Sequence, residues 1–389
     1  MPVFTLLQGF SALAAVLSSE YTYDNANNLT SVKDALGNKT TYTYSSNGEL
    51  LSVTDANGNK TTYQYDTQGR LIKTTLPGGE STSVTYDKEG RAVSSTDAKG
   101  IVSKFVYDRA GNVTQQSVGN ELTSFTYTDN GLIETVKRGS DITQYSYNNL
   151  NQIIKKVLQD GTEIEYNYDI SGNLTKVSSN YTSTSYAYDK LNRIIRVVDH
   201  NGKATLYEYD ENGNRSTVKY ANGVVAAYTY DSLNRLIKEK IVDKNGNNIA
   251  VYEYTLDKKG NRIKAVEDGS TTEYEYDKLN RLVKETTDRA VTSYTYDKVA
   301  NRLTKTVDGV KTEYTYNSNN QLTKEVSPNS TTVYTYDRNG NVRMLTDSEG
   351  AVSDTYDYDA FGTATAEAGL TVNPYRYCGE YQDETTGRY

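Results

Sequence analysis

Residues 63–71 read Tyr63-Gln64-Tyr65-Asp66-Thr67-Gln68-Gly69-Arg70-Leu71, and the fold turns on them. Residues two apart share one face of a strand, so Tyr63 and Tyr65 lie side by side on one surface, a spacing that no helical period fits. Asp66 then opens a turn in which its carboxylate can bond backbone two residues on and Gly69 supplies a positive φ. A second apolar run, Leu71-Ile72, starts the returning strand. The unit is a hairpin, and a second turn such as Asp34-Ala35-Leu36-Gly37-Asn38 or Asp55-Ala56-Asn57-Gly58-Asn59 leads into the next one.

The stretch recurs throughout the chain. A tyrosine at this phase stands at Tyr23, Tyr44, Tyr65, Tyr86, Tyr107, Tyr127, Tyr147, Tyr168, Tyr188, Tyr209, Tyr230, Tyr254, Tyr276, Tyr296, Tyr316, Tyr336 and Tyr358, in steps of 20 to 24 residues. Two residues earlier comes another aromatic in every repeat but one, where Val84 stands instead. These two phases absorb 31 of the 37 tyrosines, so the repeat, not a local site, accounts for the unusual composition. The positions expected to carry the architecture are Tyr65, Asp66 and Gly69; Tyr168, Asp169 and Gly172; Tyr209, Asp210 and Gly213; Tyr230 and Asp231; Tyr276 and Asp277; and Tyr336, Asp337 and Gly340.

The fold class that follows is all-β: a continuous antiparallel ribbon of hairpins curling into a single-layered spiral shell or open barrel. With four prolines in 389 residues, nearly every strand keeps its backbone donors. Two strands per repeat at roughly 4.8 Å give a ribbon of about 150 Å, too long for a flat sheet; bent into one ring it would be about 50 Å across. So much tyrosine, and no helical segment after residue 20 to cover a face, suit a sheet hydrated on both sides, its rings stacked in cross-strand ladders. Three parts are expected: an apolar segment at 1–20, the repeat array at 21–362, and a tail at 363–389. The apolar opening has three readings: a leader, an apolar helix plugging the shell, or a start placed inside a longer gene.

Composition excludes several chemistries. One histidine, His200, and one cysteine, Cys378, cannot make a Cys/His zinc site or an internal disulfide. No cofactor or metal is expected. A net charge of −8 offers no field for phosphate backbones, so nucleic acid is not an expected partner. The Asp55 and Asp210 turns look like calcium loops but lack glycine at the sixth position and glutamate at the twelfth. Among 50 acids no pair stands out from the periodic background as a glycosidase dyad.

The repeated form Tyr-x-Tyr-Asp-x-x-Gly/Asn-Asn/Arg-Leu resembles the YD-repeat, or Rhs, proteins over about 340 residues. The tail, Asn373-Pro374-Tyr375-Arg376-Tyr377-Cys378-Gly379-Glu380-Tyr381 onward, looks like the opening of the Rhs core-associated region. The Lys- and Asn-rich dialect is most similar to wall-associated Rhs proteins of Gram-positive bacteria. The resemblance implies a hollow β shell around a C-terminal toxin domain, in a secreted or cell-wall-associated bacterial protein used in competition between bacteria. It also implies an aspartyl autoprotease region. Asp383 is the position that matches a catalytic acid of that region, but Gln382 stands where some members carry Arg and the second Asp is absent. This chain is therefore expected to be neither protease nor toxin. Its expected partners are the toxin domain or missing shell segments. The alternative is a carbohydrate-binding or adhesion module whose tyrosine rows meet cell-surface glycans.

Overall fold

The computed structural model describes residues 19–358, 364–369 and 373. Its 34 strands, from Glu20–Tyr23 to Ala364–Ala368, form one sheet. Each strand pairs antiparallel with its neighbours in sequence, as Lys60–Tyr65 does with Leu50–Thr54 on one side and Leu71–Thr75 on the other. The ribbon is an uninterrupted meander, so nearly all of its pairing is local.

Two irregularities make it coil. Each Tyr-Asp hairpin carries a register shift beside its turn: Gln64 faces Lys73 but Tyr65 faces Leu71, which leaves Ile72 as the extra residue. The same shift recurs at Thr43/Tyr44, Asn167/Tyr168, Glu208/Tyr209 and Thr335/Tyr336. A bulge bends its strand and increases local twist, and one per repeat accumulates into curvature. On the strand's other side pairing stops short of the Tyr-Asp edge, since Leu50–Thr54 pairs with Lys60–Tyr65 only through Ser52, Val53 and Thr54. Neighbouring hairpins are therefore free to splay there.

The ribbon overlaps itself. Asn57 donates to Asp297 at 2.8 Å, Gly78 N–H to Asn319 at 2.9 Å, and Asn339 to Asp97 at 2.8 Å. Each contact joins turns 23 strands apart. A circuit of 23 strands at roughly 4.8 Å is about 110 Å around and about 35 Å across. This is tighter than the single ring of all strands expected from length alone, because the last third of the chain climbs onto the first.

The wall is thin. Ten hydrophobic side chains are buried among the described residues, and the surface, 25081 Å², compares with roughly 15,000 Å² for a compact chain of this mass. Six of the ten, Tyr314, Leu322, Tyr334, Val342, Leu345 and Tyr356, form one cluster near the end of the ribbon. The expected ladder of ring upon ring takes a different form. The first aromatic of each pair faces an aliphatic or polar residue, as Tyr166 faces Val177 and Tyr274 faces Glu285, because tyrosine pairs sit on alternate strands only.

One repeat is out of the expected phase. Leu256 pairs with Arg262 and the turn opens at Asp257, so Leu256, not Tyr254, holds the second aromatic position. The long step from Tyr230 to Tyr254 reflects an extended hairpin whose strand, Asn248–Leu256, has nine residues.

Candidate functional site: two turn edges and the seam

Strand ends put all Tyr-Asp turns on one rim of the ribbon and all intervening turns on the other. At the Tyr-Asp rim, Asp169 Oδ1 accepts from the N–H groups of Ser171 and Asn173, and Oδ2 accepts from the Asn173 amide. Asp66, Asp231 and Asp277 do the same, with arginine replacing asparagine: Arg70, Arg235 and Arg281 donate through Nε at 2.7 Å. Asp210 binds Asn214 in the same way, and Asp337 binds Asn341. The bonds to Asn173 hold the Asp169 carboxyl below its usual range, and the backbone bond from Arg70 leads the same effect at Asp66. The residue three past the aspartate takes positive φ: Gly69 76°, Gly172 86°, Gly213 87°, Gly340 86° and Asn280 60°. Ala300, at 73°, is the exception: it is neither glycine nor asparagine, so its Cβ strain has no local polar compensation.

In thirteen repeats the second tyrosine has a specific partner. Tyr65 donates its hydroxyl to Leu50 C=O at 2.9 Å, Tyr168 to Ile153, Tyr209 to Ile194, Tyr230 to Arg215, Tyr276 to Arg262 and Tyr336 to Leu322. Each acceptor lies just beyond where the ladder between hairpins ends. The hydroxyl thus satisfies a carbonyl that the splay releases, and ties one hairpin to the one before it. This is why the second aromatic is tyrosine rather than phenylalanine, while Phe105 and Phe125 are tolerated at the first position.

A rail runs along the same rim. Arg70 stacks on the Tyr86 ring at 4.7 Å and donates to Asp87 C=O; Arg281 stacks on Tyr296 and donates to Asp297 C=O. Where asparagine replaces arginine, turns join directly, as Asn173 to Asn192, Asn214 to Asn234 and Asn301 to Asn320.

The seam is where the opposite rim of the first circuit meets the Tyr-Asp rim of the second. Lys99 pairs with Asp337 at 2.6 Å, both side chains largely covered. Asn319 bridges to Gly78 N–H and Glu80, and Asn320 reaches Asp55. A cavity of about 470 Å³ opens beside the seam, lined in part by Thr82, Val84, Ser95, Ser103, Asn339 and Tyr358. It lies where Val84 interrupts the aromatic row and faces Ser95.

Asp383 and Cys378 lie outside the described residues; His200 sits in an exposed turn. Among the described residues no group of His, Cys, Asp and Glu could hold a metal ion. The sequence reading passed over Asp354. It is buried between Leu345 and Tyr356, at a phase that carries Thr61, Thr82, Thr184 and Thr205 in other repeats. That departure from a threonine column was the available signal. Gly369, at φ +116°, approaches it so closely that any Cβ would collide with the Asp354 carboxyl.

The sequence matches the family described as Teneurin YD-shell over residues 78–179 and 170–387, and RHS Repeat over 23–50 and 44–81. It is 31% identical over 297 residues to the tRNA nuclease WapA of Bacillus subtilis, covering 69% of this chain and 12% of the relative. It is 30% identical over 246 residues to the tRNA3(Ser)-specific nuclease WapA of Bacillus spizizenii, covering 62% of this chain and 9% of that protein. The chain thus spans about a tenth of the length of these relatives. Among solved structures, it resembles the crystal structure of TcdB2-TccC3-Cdc42 with a TM-score of 0.68 at 14% identity, over 95% of this chain and 29% of that one. TcdB2-TccC3-TEV gives 0.55 at 16% identity, over 96% and 27%. At such identities the likeness is one of fold.

Proposed function

Since this chain belongs to the YD-shell family of RHS-repeat proteins, we propose that it is a section of wall from a hollow β shell that encloses a C-terminal toxin and serves in competition between bacteria. The observation that carries this reading is the seam: circuits laid rim on rim make a continuous lateral barrier, which a simple ribbon would not. A wall held by local pairing and hydroxyl bonds needs no packed interior, so the space it encircles is free for cargo. On this reading the wall performs no chemistry of its own. The WapA relatives are named as nucleases, and a nuclease cargo carried past the repeats would fit their much greater length. Such a role requires export, hence a secreted or wall-associated protein.

The test is to express the chain with a protease-sensitive reporter domain fused after Tyr389 as cargo and to expose it to protease. A cargo domain that survives while enclosed, and is cleaved once the seam is opened by Lys99→Glu, supports the proposal. Equal cleavage in both, or electron micrographs of a solid particle, overturns it.

A carbohydrate-binding module is the second reading. One observation favours it: the hydroxyl- and amide-lined cavity beside Val84, with Tyr358 as a ring to stack on a sugar. Binding on a glycan panel that Val84→Tyr abolishes would support it, and no binding on the panel would remove it.

A further inference from the structure

The seam has a donor rule. In the long turns of the lower rim the third residue donates to the turn above: Asn57 to Asp297, Lys99 to Asp337, and Gly78 through its N–H to Asn319. The receiving carboxylates take this bond in addition to the one inside their own turn, from Asn301 and Asn341. An upper turn also sits astride two lower ones, since Asn319 reaches the turn at 76–80 and Asn320 the turn at 55–59.

The same rim carries three consecutive long turns that no circuit overlies among the described residues, at 199–203, 220–224 and 243–247. They are closed by the same two backbone bonds as the seam turns: Asp199 N–H to Lys203 and Gly202 N–H to Asp199, Tyr220 to Val224 and Gly223 to Tyr220, Asp243 to Asn247 and Gly246 to Asp243. Their third residues are Asn201, Asn222 and Asn245, all donors and all exposed. At the seam the second residue of each turn, Ala56, Pro77 or Ala98, is half-covered; here His200, Ala221 and Lys244 are exposed. Between the first two of these turns lies a cavity of about 360 Å³, lined by Asp199, Lys203, Tyr220, Ala221 and Asn222 among others. It occupies the place that an astride turn fills at the seam.

We propose that this edge is a docking surface for the Tyr-Asp turns of a second copy of this chain, with Asn201 and Asn222 donating to its turn carboxylates. The complementary rim exists on every copy, because the first-circuit turns at Asp169, Asp210 and Asp231 have the geometry of Asp297 and Asp337 and no circuit against their own rim among the described residues. Both surfaces share the curvature of one spiral, so the contact continues the seam from copy to copy. It is a head-to-tail, heterologous contact, which extends rather than closes. Neighbouring tight turns, such as Gly139-Ser140 and Asp268-Gly269, have two residues and no equivalent third-position donor. The inference needs the spiral but not the cargo.

Sedimentation of the 43.4 kDa chain at increasing concentration tests it. The weight-average mass should climb past the monomer. The pair Asn201→Asp with Asn222→Asp, which sets carboxylate against carboxylate, should leave the circular dichroism unchanged and the chain monomeric. Asn201→Ala with Asn222→Ala, which only removes donors, should weaken association about tenfold or more, whereas Ser140→Asp on a tight turn should leave it as it was. A monomer at every concentration overturns the proposal, and so does association that both asparagine pairs leave intact.

Discussion

Leu71 and Val342 each begin the strand after a Tyr-Asp turn, and Leu322 holds the same phase, yet Leu71 is 38% exposed while Val342 and Leu322 are 0% and 5%. Tyr21 and Tyr356 are likewise both first aromatics, at 56% and 2%. The first circuit and the terminal strands are therefore one repeat under two regimes. In the first circuit most apolar side chains stay half wet, Val218, Ala226 and Ala250 excepted, and cohesion rests on directed bonds: the aspartate turns, the rail and the tyrosine hydroxyls. In the terminal strands, where the second circuit lies on the first and Asn373 is itself buried, the same phases make a cluster. Repetition sets which side chains point together, and near the end of the ribbon they are also packed dry.

If that division is right, the two regions fail under different insults. The largest effect should come from acid, because the directed bonds depend on many carboxylates at once. The folded pKa values of Asp66, Asp169, Asp210 and Asp231 are depressed by hydrogen bonds from residues in their own turns. At Asp337 burial pushes upward, but Lys99 and Asn341 outweigh it. A depressed folded value means stability that is present above the unfolded value and lost as pH falls through the folded one. Ellipticity and tyrosine fluorescence should therefore hold from neutrality to about pH 4 and decline below it, with the decline shallower in Asp169→Asn. A melt that is flat between pH 7 and pH 2.5 would contradict this account of the first circuit.

Next in size is Leu345→Ala. Leu345 is fully buried against Tyr334 and Tyr356, so its truncation should cost about 3 kcal/mol. Leu71→Ala, at the exposed end of the comparison, should cost under about 1 kcal/mol. Hydrogen exchange resolves the two, with Leu345→Ala loosening the strands from Val310–Tyr316 to Val352–Tyr358 and leaving the first circuit protected. Equal costs would erase the distinction between regimes.

The all-β ribbon was legible from Tyr63-Gln64-Tyr65-Asp66 because strand period, turn chemistry and a 21-residue repeat all agree and act over short distances. The role of the second tyrosine was not, since its acceptor, such as Leu50 C=O, becomes free only when neighbouring hairpins splay. Nor was the seam: Lys99 and Asp337 are ordinary members of their turns, brought together by a curvature that sums small bends over 23 strands. Tyr254 was assigned to the wrong phase because a longer hairpin preserved the Tyr-x-Tyr spelling while moving the turn to Asp257. Asp383 falls outside the described residues, so the protease resemblance has no geometry beside it.

Tyr168→Phe gives a smaller effect and isolates the hydroxyl. It keeps the ring and its area while orphaning Ile153 C=O, for an expected loss of about 1 kcal/mol. The matched change Tyr166→Phe, at the first position where Phe105 and Phe125 occur naturally, should cost less than half of that. If the two variants melt together, the tyrosine column is there for its rings and the stitching account fails.

The smallest effect has the opposite sign. Ala300 sits at φ 73° in a turn where the other repeats place glycine or asparagine, and its closing bond to Asp297, at 3.4 Å, is long beside the 3.0 Å of Gly69 to Asp66. A Cβ in the left-handed region costs about 1 kcal/mol, and Ala300→Gly removes it while adding some freedom to the unfolded chain. The net gain should be a few tenths to about 1 kcal/mol. Because the Asp297 carboxylate also receives Asn57 across the seam, relaxing this turn should protect the Asn57 turn from hydrogen exchange as well. Stabilisation confined to residues 297–301 would mean that the overlap does not couple the two circuits.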